Sequence, residues 1–148
     1  MIATIALFNQ HRKVPTVVMT HDYDLYQLVD NTNKSYHYDI RTRRLVSERA
    51  VMERMGVRPK LVRDYKALAG DASDNIPGVK GIGKVRAQQL LEKYGNLEGV
   101  LTRGVKGQTG RVGELLREGT ESALLSRQLV EFRICPKLIK TCETFLKA

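Results

Sequence analysis

The chain has 148 residues, 42% of them hydrophobic, with 25 Lys+Arg against 16 Asp+Glu, a net charge of +9 and a pI near 9.8. It is long enough for one domain with a real core. An 18-residue apolar run and a basic leader with a small-residue cleavage site are both absent from its pattern, so it reads as intracellular, with no membrane partner. Excess positive charge fits a polyanion, nucleic acid first, against the plain alternative of a solvated basic surface.

Ile2 to Phe8 is a short apolar segment with helical character. Val14 to Thr20 predicts a strand, because Thr16, Val17 and Val18 are β-branched and the run is almost wholly apolar, as in a parallel strand buried on both faces. Leu25 to Val29 reads as a short helix, Ser35 to Ile40 as a second strand and Arg41 to Arg44 as a basic turn. Ser47 is placed to cap a helix running through Met55 and closed by Gly56, and Pro59 opens the next. Pro59 to Ala69 and Lys84 to Tyr94 predict two further helices. The second has Ala87, Leu90, Leu91 and Tyr94 on one face, Lys84, Gln88 and Glu92 on the other, and Gly95 as its stop. Beyond it the chain reads as helical to about Phe132 and irregular thereafter, with Thr102 to Gly113 as a flexible glycine-rich loop. This is an α/β front half, residues 1–58, and a helical back half, residues 59–148. Cys135 and Cys142 read as reduced core thiols, and His11, His21 and His37 lack metal-ligand spacing.

The densest chemistry lies from Leu68 to Ala87. An acidic turn, Gly70-Asp71-Ala72-Ser73-Asp74-Asn75, leads into Ile76-Pro77-Gly78-Val79-Lys80-Gly81-Ile82-Gly83-Lys84. Carboxylates suited to a hard cation stand beside glycine backbone that lets amides approach a phosphate, at the start of a helix. A dinucleotide fingerprint fails, because Arg86 stands where a third glycine is needed and no hydrophobic strand precedes; a Walker loop fails for want of Gly-Lys-Ser/Thr. A helix-hairpin-helix at residues 59–95 remains, against the bland reading of a glycine-rich connection between core helices.

Asp22 and Asp24 follow the first predicted strand, at the carboxyl end where open α/β sheets bind ligands. An isolated Asp-x-Asp is more often a cap plus a solvated residue, and Asp71 and Asp74 could be turn residues. The combination of two acidic pairs with a phosphate-binding hairpin favours magnesium, which takes oxygen ligands and bridges to phosphate. Two such ions, roughly 3.5–4 Å apart, activate water and stabilise the leaving oxygen in phosphodiester hydrolysis. Four carboxylates supply only part of such a site.

Asp22-Tyr23-Asp24-Leu25 with Gln27-Leu28-Val29, followed by the run from Leu68 to Gly83, resembles the 5′ nuclease family. This family comprises the 5′-3′ exonuclease domain of bacterial DNA polymerase I, phage 5′ exonucleases and flap endonucleases. The resemblance covers nearly the whole chain and weakens after about Phe132. It implies the C-terminal part of a PIN-like 5′ nuclease sheet, followed by a helical region with a helix-three-turn-helix that grips duplex DNA. It makes Asp22, Asp24, Asp71 and Asp74 catalytic ligands of Mg2+ or Mn2+. It also implies a K+ ion on the carbonyls of Leu68, Ala69, Pro77, Val79 and Ile82. DNA contacts fall to Lys66, Gly78, Lys80, Gly81, Gly83, Lys84 and Arg86. The implied setting is DNA replication and repair in the cytoplasm of a bacterial or phage-infected cell.

Two departures stand out. The family usually places one residue between Gly-Ile-Gly and Lys, whereas Lys84 follows Gly83 directly and Val85 takes the Lys position, leaving Lys84 and Arg86 as rivals for the phosphate. The family's opening Asp-Gly strand, basic arch and Glu-x-Asp-Asp cluster are also missing from this sequence. The expectation is therefore a nuclease component acting on 5′ ends or flaps and completed by an N-terminal half, whether separately encoded or lost by truncation. The competing reading is a non-catalytic helix-hairpin-helix DNA-binding module.

Overall fold

A computed structural model describes residues 1–145. In chain order the elements begin with α1 (Ile2–His11), β1 (Thr16–Thr20), a 3-10 turn (Tyr23–Leu28), β2 (Ser35–Asp39), β3 (Arg44–Val46) and α2 (Glu48–Met55). A second 3-10 turn (Pro59–Leu61) leads into α3 (Val62–Ala69), then α4 (Lys84–Tyr94), α5 (Leu97–Gly99), a π-turn (Val100–Gly104), α6 (Val105–Gly107), α7 (Gly110–Glu118), α8 (Thr120–Val130) and α9 (Pro136–Phe145). They divide into two compact units, residues 1–54 with the segment from Phe132 onward, and Met55–Glu131.

In the first unit β1 runs parallel to β2, Thr16 opposite Ser35 and Thr20 opposite Asp39, and β2 runs antiparallel to β3. The expected first strand is shorter than its apolar run, because Pro15 has no N–H for the ladder. It is also covered on one face only: Val18 is 7% exposed, but Val17 is 51% and Met19 67%. The predicted basic turn exists, held where the Asp39 carboxylate accepts from the Arg41 and Thr42 amides at 2.9 and 3.2 Å. It continues into β3, which the sequence reading lacked. Leu25–Val29, expected as a helix, instead forms the end of the 3-10 turn, with Val29 as its extended C-cap.

Ala3 and Ala6 carry little side chain, so α1 lies close against Val18, Leu25 and Leu28, with Leu7 and Phe132 at the margin. The chain after Phe132, expected to be irregular, forms α9. Pro136 is pre-set for a first helical turn, and the Cys135 amide donates to the buried Thr4 hydroxyl at 3.1 Å. Cys135 and Cys142 are free thiols as expected, but Cys135 is exposed and Cys142 half-buried rather than core. His37 is buried edge-on to the Tyr26 ring, 4.7 Å between centroids, and burial pushes its pKa down.

The second unit is built on α3, which packs against α4 and α8. Its buried Asp64 ties the unit together: Oδ2 accepts from the Leu97 amide at 3.0 Å, and Oδ1 lies 3.3 Å from Arg127 Nε on α8. The predicted face of α4 is buried at Ala87, Leu90, Leu91 and Tyr94, and Gly95 closes the helix with φ +91°. Thr102–Gly113, expected as a flexible loop, is largely helical. Two of its glycines serve close packing: a Cβ on Gly104 would sit 3.3 Å from the Tyr94 ring, and one on Gly113 only 2.1 Å from Gln108 O.

Removing a buried, paired carboxylate strands its partners. Asp64→Ala is expected to cost about 2–4 kcal/mol in urea unfolding, whereas Arg49→Ala, which loses an exposed pair with Glu53, is expected to cost under about 0.5 kcal/mol.

Candidate metal and nucleic-acid site

The hairpin begins where α3 stops. Gly70, at φ +73°, turns the chain out of the helix. Asp71 and Ile76 then exchange backbone hydrogen bonds at 2.9 and 2.8 Å, closing a turn in which Asn75 takes φ +55°. The strand folds back onto the helix end so tightly that a Cβ on Gly78 would lie 2.3 Å from Gly70 N, and Gly78 itself has φ +63°. Val79 N donates to Leu68 O at 2.8 Å and Ile82 N to Val79 O at 2.9 Å.

Two serines on α8 hold the Gly78 peptide groups. Gly78 N donates to Ser126 Oγ at 3.0 Å, and Ser122 Oγ donates to Gly78 O at 2.6 Å. Sequence reasoning missed both; their i, i+4 spacing was the available signal, and it gains meaning only once α8 lies beside the hairpin.

Lys66 governs the acidic turn. Only 5% exposed on α3, it places Nζ 2.6 Å from Asp71 Oδ2 and 3.6 Å from Asp74 Oδ2. Asp71 Oδ1 also accepts from the Ser73 amide and hydroxyl, at 3.0 and 2.5 Å. Partial burial pushes the Asp71 pKa up, but the hydrogen bonds and charge of Lys66, with those of Ser73, prevail and hold it down at about 2. At neutral pH this is an ionised oxygen donor that already grips a cation, the ammonium, which fits the donor chemistry of a magnesium or manganese ligand. Lys66, expected near substrate phosphate, is thus placed against the two carboxylates.

Asp22 and Asp24 belong to the first unit, just after β1. Asp22 Oδ1 accepts from the Asp24 amide at 2.9 Å, capping the 3-10 turn, while the Asp22 amide donates to Thr20 Oγ1 at 3.1 Å. Of the five carbonyls expected to hold potassium, those of Leu68 and Val79 already accept one bond each within the hairpin; a carbonyl has two lone pairs, so this does not bar a cation. At the tip Lys80, Lys84 and Arg86 are exposed, and Arg86 Nη1 donates to Gly81 O at 2.9 Å. Gly83, an extended N-cap with no atom within 4 Å of a would-be Cβ, leaves the start of α4 open.

The model of the 5′-3′ exonuclease, C-terminal SAM fold, matches residues 57–145. The chain is 36% identical over 150 residues to DNA polymerase I of Mycobacterium leprae (strain TN), covering 97% of this chain and 16% of that one. To the thermostable DNA polymerase I of Thermus thermophilus it is 38% identical over 129 residues, 87% of this chain and 15% of that one. Among solved structures, that of divalent metal ions (zinc) bound to T5 5′-exonuclease superposes with a TM-score of 0.76 at 23% identity, over 87% of this chain and 48% of that one. A bacteriophage T5 flap endonuclease pseudo-enzyme-product complex with DNA and metal ions gives 0.75 at 22% identity, over 87% and 47%. The chain therefore belongs to the 5′-3′ exonuclease family, and it spans about a sixth of the length of these polymerase relatives.

The depressed Asp71 pKa sets a pH signature. A group whose pKa falls from 3.8 unfolded to about 2 folded stabilises the fold above pH 3.8, and that stability is lost as pH falls toward 2. Asp71→Asn is expected to remove about 2 kcal/mol at pH 7 and to flatten this part of the acid limb in urea titrations run from pH 2 to 6. Gly78→Ala is expected to cost more than about 2 kcal/mol by the same assay, whereas Gly83→Ala should cost under about 1 kcal/mol.

Proposed function

We propose that this chain is the DNA-binding and part of the metal-binding portion of a 5′-3′ exonuclease or flap endonuclease that hydrolyses phosphodiester bonds. The observation that carries this reading is the rigid hairpin from Gly70 to Gly83, with an ionised carboxylate at its base and exposed Lys80, Lys84 and Arg86 at its tip. Family membership supports the nuclease class. The neighbour described with DNA and metal ions supports the two ligand classes.

In this reading Asp22, Asp24, Asp71 and Asp74 hold Mg2+ or Mn2+, and the carbonyls of Leu68, Ala69, Pro77, Val79 and Ile82 hold K+. Bound divalent ions would supply an activated water and charge stabilisation at the leaving oxygen. The hairpin amides, with Lys80, Gly81, Gly83, Lys84 and Arg86, hold the backbone of the duplex. Two ions of roughly six oxygen ligands each need more donors than four carboxylates provide. We accordingly propose that full activity needs further carboxylates from a segment or chain outside these 148 residues. Residues 59–148 are the proposed DNA-binding region, with the helix-hairpin-helix at residues 59–95.

One observation favours the non-catalytic alternative. The Lys66 pair gives Asp71 a structural task that a binding module would also need. Asp74 separates the two readings, since it is half exposed and its 3.6 Å approach to Lys66 contributes little to folding. Asp74→Asn is expected to keep duplex affinity within about twofold, to weaken Mn2+ binding about tenfold or more in calorimetry, and to abolish metal-dependent cleavage. An unchanged Mn2+ affinity would favour the binding module.

The direct test is cleavage of a 5′-labelled flap duplex in magnesium and potassium, with and without chelator, and with a family N-terminal fragment added in parallel. Chelator-sensitive cleavage dependent on the fragment is expected. Duplex binding that persists without cleavage in either arm would leave the binding module, and an affinity insensitive to salt would overturn both readings.

A further inference from the structure

We propose that the groove between the hairpin tip and the first turn of α7 is a second phosphate seat for the same duplex, with Arg111 as its contact residue. The proposal rests on the nucleic-acid reading above and extends it beyond the hairpin.

The groove has a volume of about 610 Å³, and Lys80, Gly81, Arg86, Arg111, Leu115 and Ser122 are among the residues lining it. The first turns of two helices contribute to its wall, Arg86 from α4 and Arg111 from α7. Both helices are of sufficient length for an appreciable dipole, and neither N-cap residue supplies a side-chain capping bond: Gly83 has no side chain, and Thr109 accepts none. Two positive helix ends and three cationic side chains thus border one concavity.

Its floor is fixed. Gly81, at φ +87°, packs so near α7 that a Cβ would lie 2.9 Å from Leu115 Cδ1. A Cβ on Gly119 would lie 2.5 Å from Val79 Cγ1. The hairpin tip and α7 therefore present their cations from one rigid surface, which suits successive phosphates of a strand rather than a single mobile anion.

The cations are also available. One guanidinium bond to Gly81 O orients Arg86 and leaves its other N–H donors for a ligand. Arg111 pairs with Glu114 at 3.2 Å, both side chains more than half exposed. Such a pair contributes little, so exchanging it for a phosphate costs little. Glu118 lines the same groove and is the opposing charge, which disfavours a phosphate beside it.

The test is duplex affinity by fluorescence anisotropy across 50–300 mM KCl. Arg111→Gln is expected to weaken binding roughly three- to tenfold at the lowest salt and to reduce the log–log salt slope by about 0.9, one phosphate contact. Arg111→Lys should restore most of the slope, and Glu118→Gln should tighten binding. Arg49→Gln, at an exposed position on α2 of the first unit, is the control and should change nothing. If Lys80→Gln lowers the slope while Arg111→Gln does not, the groove proposal is overturned and the hairpin reading stands. If neither lowers it, the nucleic-acid reading fails and the groove with it.

Discussion

A lysine ammonium buried on a helix must find a counter-charge within reach, and in the second unit Lys66 imposes that demand on everything that follows it. Leaving such a group unpaired costs several kcal/mol. The acidic turn meets the demand: Asp71 comes within 2.6 Å of Nζ, and the reciprocal backbone bonds between Asp71 and Ile76 hold the carboxylate there. Once the turn is fixed, Pro77 and Gly78 are committed to return across the end of α3. The ion pair therefore sets both the ionisation of the site and the path of the hairpin. A carboxylate held at a pKa of about 2 is ready for a harder cation without any proton to lose.

The return path is possible only because the crossing point lacks side chains. Gly70 and Gly78 both take positive φ and meet backbone to backbone, a spacing that a single methyl group would prevent. Ser122 and Ser126 then read both hydrogen-bonding groups of Gly78 from α8. Rigidity at the hairpin comes from backbone partners and packed glycines, so its charged side chains are left for recognition. This division of labour suits a surface that holds a phosphate backbone, where the amides and cations must be presented at fixed positions.

Much of the second unit was legible because its signals are local. Ala87, Leu90, Leu91 and Tyr94 repeat at helical spacing, Gly95 stops the helix, and the family resemblance rests on a contiguous run from Leu68 to Gly83. What escaped depends on partners distant in sequence. Three-residue β3 has too little alternation to stand out, and β1 looks doubly buried until Val17 and Met19 are seen exposed. The glycines between Thr102 and Gly113 resemble a loop, yet Gly104 serves to admit the Tyr94 ring. Asp64 carries no local signal, because its partners Leu97 and Arg127 are distant in sequence, and Lys66, which the resemblance makes a DNA contact, faces the acidic turn only once that turn has folded back on α3. Arg111 was likewise silent, since its setting exists only after α7 meets the hairpin.

Cys135 shows how one residue can join two uses. Its amide anchors the approach to α9 through Thr4, while its thiol is exposed. A fluorophore attached at this sulfur would therefore ride on the joint that docks α9 against α1. Its anisotropy would report undocking of that helix from within the first unit.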